Sequence, residues 1–160
     1  MATENFIGQT IFVSAAIPAT NDAAGFVALT WTKAGGVQQL PQLGTTNAII
    51  DVEDLQTGFT SGVKGAGSGN DSQMTFRDTG SVDAGQAIIK TAANGQTGSM
   101  SVKIVEGSGV ANAPVSGDPV EYAQGFAHSY LFNQGSVSAF KGFTANFKQN
   151  ALSVAATEPA

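Results

Sequence analysis

The residues able to do chemistry are few and scattered. Asp51, Glu53 and Asp54 form the tightest acidic cluster, and Asp118 with Glu121 forms a second. Paired carboxylates can divide the work of general acid and base or share a divalent cation. The run Asp51-Val52-Glu53-Asp54 lacks the ligand spacing of a calcium loop, so a solvated acidic face is the expectation, or a set of acids facing a shared lumen. His128 stands alone between Gly125 and Phe132, with no second His and no Cys to complete a metal site. No Gly-x-Ser-x-Gly accompanies it, so the expectation is a half-buried strand residue.

Gly65-Ala66-Gly67-Ser68-Gly69 invites comparison with a phosphate cradle. A nucleotide loop follows a strand, opens a helix, and in the Walker form carries Gly-Lys-Ser/Thr. Here the glycines run into Asn70-Asp71 and then a strand pattern, so residues 62–71 are expected to be a long flexible loop available for contacts. Asn70-Asp71-Ser72 matches a glycosylation sequon, which carries meaning only in a secreted chain.

The bulk composition bears on the same question. Charged residues make up 12% of the 160, against about 25% in a typical globular domain. Surface so poor in charge is suited to burial against copies of itself, which favours an assembly protein over an enzyme. The net charge is −5, and the seven basic residues form no run, so binding to nucleic acid through phosphates is not expected. The absence of Cys excludes a disulfide framework. No apolar run approaches the ~20 residues of a membrane span. Met1–Gly8 lacks a basic, then apolar leader, so synthesis in the cytoplasm is expected.

Apolar residues alternate and turn residues interrupt them often, which predicts a single mainly β domain over residues 1–160. Expected strands are Ile7–Ala15, Phe26–Trp31, Val37–Leu40, Ala48–Asp51, Ser72–Arg77, Met100–Ile104, Val120–Phe132 and Val137–Phe147. The second and third of these are expected to pair as a hairpin through Gly35-Gly36. Val52–Gly58 is ambiguous, and 107–119 reads as a second long loop. One helix is expected over 83–93, capped by Ser81 or Asp83 and stopped by a left-handed Asn94-Gly95, with Ala84, Ala87, Ile88, Thr91 and Ala92 as its apolar stripe. Residues 1–8 and 149–160 read as terminal arms, the latter fraying after Leu152 unless something docks it. Trp31 and the ten Phe are expected in the core and in subunit interfaces rather than in a base-stacking platform.

Three segments carry a resemblance: Ile49–Thr60, Gly117–Tyr122 and Val137–Thr144. With the order of hairpin, glycine-rich loop, single helix and late Phe-rich strand, they resemble the major tail tube proteins of long-tailed, non-contractile bacteriophages and of related gene transfer agents. The resemblance implies a β-sandwich or barrel-like domain with one flanking helix. It also implies hexameric rings that stack into the tail tube of a virion. The implied partners are a tape-measure protein, tail tip and terminator proteins, and double-stranded DNA passing through unbound; no cofactor, catalytic residue or metal is implied. On this basis Gly62, Lys64, Gly65, Gly67, Gly69 and Asp71, with both termini, are expected at ring-to-ring contacts. Some of Asp51, Glu53, Asp54, Asp118 and Glu121 are expected on the lumen. The inner tube of a contractile tail or injection system shares this pattern. An adhesin-like or carbohydrate-binding sandwich fits less well, for want of a leader and of exposed Trp and Tyr.

Overall fold

The computed structural model describes residues 5–160. The fold is mainly β. In chain order it runs β1 (Gln9–Ser14), α1 (Ala23–Val27), β2 (Thr32–Ala34), β3 (Val37–Gln39), β4 (Thr45–Asp54) and β5 (Phe59–Gly69). It continues with β6 (Asp71–Arg77), α2 (Ala84–Asn94), β7 (Ser99–Glu106), β8 (Pro119–Phe132), β9 (Gly142–Gln149) and β10 (Val154–Thr157).

An antiparallel sheet in the order β2-β1-β7-β8-β9-β6-β3 forms the body, and β10 pairs with the first part of β8. The outermost strands, β2 and β3, are joined only by Gly35-Gly36. Three peptide steps span at most about 11 Å, so the sheet must curl until its two edges approach each other. The inside of this curl is the main core. Ile11 and Val13 of β1 lie opposite Ile104 and Val102 of β7, and Met74 and Phe76 of β6 lie opposite Ala145 and Phe143 of β9. α2 closes one end through Ile89, Ile88, Ala92 and Ala93.

A smaller core lies on the outer face. Phe26 of α1 stacks on Tyr122 with ring centres 5.0 Å apart, and Val105 and Val120 complete it. Residues 120, 122, 124, 126 and 128 of β8 share this face by strand alternation. A one-residue bulge between His128 and Leu131, with Ser129 at φ 57°, then reverses the alternation. The reversal carries Tyr130 to the inner side, where it stacks on Phe143 at 4.8 Å.

Several expectations require correction. Residues 62–71 are not a loop: 62–69 lie in β5, paired with β4 through a bulge at which Gly65 and Ala66 face Ala48, and Asp71 opens β6. Backbone hydrogen bonds need no side chain, and larger neighbours on β4 overhang the glycine positions, as Ile49 does Gly62. Phe26–Trp31 is not a strand. Asp22 accepts from the Gly25 N–H at 2.7 Å and starts α1 instead, so there is no hairpin with β3. Residues 137–140 belong to a long connection, and β9 begins at Gly142.

α2 keeps its expected span and its Asp83 cap, but Gly95 has φ −77° and is not left-handed. Its buried stripe is Gly85 and Ile89 flanked by Ile88, Ala92 and Ala93, while Ala84, Ala87 and Thr91 are exposed. The C-terminal arm is docked rather than free, because β10 pairs with β8. Of the N-terminal arm, residues 1–4 lie outside the described residues; Phe6 and Ile7 are exposed.

Candidate assembly interface

β4 and β5 form a sheet of their own, a two-stranded ribbon standing off the body. At ~3.4 Å per residue its ten-residue strand is about 34 Å long. The turn at its tip is built by Asp54, whose carboxylate accepts from the N–H of Gln56 at 2.8 Å, and by Gly58 at φ 62°. Those backbone donors hold the Asp54 carboxyl below its ordinary range, and the Thr57 hydroxyl adds to the effect.

Directly opposed residues on antiparallel strands share a face. One face therefore carries the pairs Ile50–Val63, Val52–Ser61 and Asp54–Phe59, and the other carries Ile49–Lys64, Asp51–Gly62 and Glu53–Thr60. The ribbon is amphipathic, and nothing in the described chain covers its apolar face: Phe59 is 73% exposed, and Ile50, Val52 and Val63 are all exposed. An isolated two-stranded ribbon is marginal in water. Contiguous exposed apolar surface of this kind marks an interaction site.

The root of the ribbon is firmly held. Asn70 donates its N–H to the Gly44 carbonyl at 2.9 Å, and Gln149 donates its N–H to Asn70 at 3.0 Å. The buried Gln149 side chain accepts from the Gly44 N–H at 3.0 Å. Lys148 donates to Ser68 Oγ at 3.0 Å and also to the Gly69 carbonyl. Gly69 packs so closely on the Gln149 carbonyl that any Cβ there would clash with backbone.

The structure thus gathers Asp51, Glu53, Asp54, Gly62, Lys64, Gly65, Gly67 and Gly69 on the one ribbon, with Asp71 at its foot. It separates Asp118 and Glu121 from them. Asp118 is buried, and its carboxylate accepts from Ser108 Oγ at 2.6 Å, from Val115 N–H at 2.7 Å and from Ser108 N–H at 3.0 Å. These donors, the Ser108 hydroxyl first, hold it below the ordinary carboxylate range. Its work is to fold the 107–118 loop, not to present charge. Glu121 lines a groove of about 880 Å³ beside Ile104, Leu40, Leu43, Phe6 and Ile7, at the end of the curled sheet nearest the ribbon. Among the described residues, no group of three or more His, Asp or Glu converges as a metal site. No described helix is long and apolar enough to cross a membrane.

His128 has partners that sequence reasoning missed. Its Nε2 lies 3.0 and 3.1 Å from the two Asp71 oxygens, and its Nδ1 lies 2.7 Å from Ser129 Oγ. The Asp–His–Ser order matches a proton relay in kind. The relay lies half-exposed on the open sheet face, where it ties β8 to β6 across β9. The missing signal was the strand register, which a single sequence does not carry.

The α2 end of the body presents another uncovered apolar surface. Val82 is 94% and Phe132 74% exposed, and Val137 and Phe140, in the connection from β8 to β9, are exposed as well. A groove of about 490 Å³ there is lined by Val82, Lys90, Tyr130, Phe132 and Lys141 among others. The Lys90 ammonium lies 5.8 Å from the Tyr130 ring centre and 6.0 Å from that of Phe132. No family model matches the chain, and no curated protein matches it.

Proposed function

We propose that this chain is a structural, non-enzymatic subunit that assembles with copies of itself into a tube, as the resemblance to phage major tail tube proteins implies. The observation that carries the reading is the uncovered amphipathic ribbon β4–β5, rigid at its root and apolar along one face. A surface of that shape is stabilised by burial in a neighbouring copy. The sparse charge of the chain suits subunit contacts, and the mainly β body suits closure of sheets between neighbours, which removes strand edges. In this reading six subunits form a ring, rings stack, and the assembled tube belongs to a virion tail. A tape-measure protein occupies the bore during assembly and double-stranded DNA passes through it at delivery. The net charge of −5 disfavours lasting contact with phosphate, which suits a conduit.

Negative-stain electron microscopy of the concentrated protein tests this. Rings or hollow tubes of uniform bore are expected, together with their loss when Ile49–Lys64 is removed and the body still folds. Single subunits up to the solubility limit would overturn it.

A further inference from the structure

His128 is the one histidine of the chain. It shares the outer face of the sheet with Phe126 and with the β9 residues opposite these two, Asn146 and Lys148. Lys148 is in turn directly opposite Asp71 of β6, on the same face. Asp71 thus has two basic neighbours and is bonded to one of them, through His128 Nε2. Lys148 reaches the other way. Its ammonium donates to Ser68 Oγ at 3.0 Å and to the Gly69 carbonyl, both at the end of β5 where the ribbon is rooted. Among the described residues it has no ion-pair partner.

The other charged groups around this part of the sheet are remote or turned elsewhere. Arg77 is at the far end of β6, and Glu121 is in the first part of β8. Lys103 of β7 is held by Glu158, beyond the first part of β8. Lys90 of α2 lies over Tyr130 on the inner side, and Lys64 lies further along the ribbon.

We infer that the charge on His128 decides where the Lys148 ammonium goes, and through it how firmly the ribbon is seated. A charged ring neutralises Asp71 and leaves Lys148 to the ribbon root. Imidazole is the side-chain group that ordinarily changes charge between about pH 5 and 8. When it releases its proton to solvent, Nε2 keeps its hydrogen toward Asp71, and Nδ1 accepts from the Ser129 hydroxyl. The carboxylate charge is then uncompensated. Opposite charges facing each other across an antiparallel pair attract, so the ammonium swings to Asp71. Ser68 and Gly69 lose that donor, and the Gly44, Asn70 and Gln149 bonds hold the root without it. The ribbon is tight while the ring is charged and looser once it is neutral. This switch lies within one subunit and does not depend on the assembly reading.

Amide NMR of the full chain between about pH 5 and 8 tests it, because no other imidazole titrates there. The Ser68, Gly69 and Asn70 amide shifts should move with the same midpoint as the His128 ring protons. Protection of the Asn70 amide, corrected for base-catalysed exchange, should fall roughly threefold, the worth of one cross-strand charge pair. His128→Gln should remove the step. Lys148→Gln should give the lower protection throughout, and Asp71→Asn the higher. All three side chains lie on the open sheet face, so these variants leave the core intact. Ribbon-root shifts that stay flat while the His128 ring titrates would overturn the inference. A step that survives in His128→Gln would overturn it as well, by assigning the change to another group. Either result leaves the tube reading as it stands.

Discussion

Lys103 Nζ donates to Glu158 Oε1 at 2.8 Å, and this ion pair fastens the C-terminal strand to the body. The two side chains are only 7% and 17% exposed. The ammonium also lies 4.8 Å from the ring centre of Phe12 and 6.0 Å from that of Trp31. The second Glu158 oxygen is buried without a partner among the described residues. Removing one member of such a pair strands the other charge, at a cost of about 3 kcal/mol. Glu158→Ala should lower the urea midpoint accordingly and raise amide exchange at Val154–Thr157. Lys103→Met with Glu158→Leu should recover most of the loss.

The same enclosure acts on the phenols. Burial raises Tyr122 above its ordinary value of 10.0, and the Glu158 charge raises it further. Burial and Asp78 raise Tyr130. The unfolded chain releases these protons first, so their contribution to stability is intact below about pH 10 and falls as the pH rises through the folded-state values. Tyrosinate absorbance should appear above the ordinary range and together with loss of fold. Tyr122→Phe should weaken that alkaline dependence.

At the acid end the sign reverses. The folded Asp118 carboxyl lies below its ordinary value of 3.8, so its contribution is present above that pH and is lost as the pH falls through the lowered value. Amide exchange at Ser108 and Val115 should rise in that window. Asp118→Asn should loosen the same loop at neutral pH.

Asp83 does two jobs. Its carboxylate caps α2 at the Gln86 N–H at 2.9 Å and holds the Gly35 N–H at 3.1 Å, which ties the helix to the turn joining the sheet edges. Asp83→Ala should cost about 1 kcal/mol or somewhat more, as a lost cap does. Thermal unfolding followed by circular dichroism would read it.

Gly69 seats the root of the ribbon against the body. Its contact on the Gln149 carbonyl leaves no room for a side chain, and backbone cannot move aside as a side chain would. Gly69→Val should cost about 1–3 kcal/mol. The loss should centre on the ribbon root, seen as raised amide exchange at Asn70 and Gln149 with the core unchanged.

The mainly β class, α2 with its Asp83 cap, the strands β1, β3, β6, β7 and β8, and the Phe-rich part of β9 were legible in the sequence. Each rests on alternation, or on a capping residue beside a helical run, and both are local features. Of the ribbon, only Ala48–Asp51 in its first strand was legible. Its second strand is glycine-rich and offers no alternation, so what makes it a strand is the hydrogen-bonding edge of β4, reached only once the chain doubles back. α1 failed for a related reason: Val27, Leu29 and Trp31 alternate by type, but the Asp22 cap and the pull of Phe26 toward Tyr122 decide the helix.

The composition alone determined a chain poor in charge and without Cys. Tertiary structure decided which acids stand together. Asp51, Glu53 and Asp54 share the ribbon while Asp118 is consumed inside a loop, because burial and partner geometry depend on contacts distant in the chain. It also decided that the ribbon and the α2 end stand at opposite ends of β9. Strand register and direction set that placement, and a linear string of residues records neither.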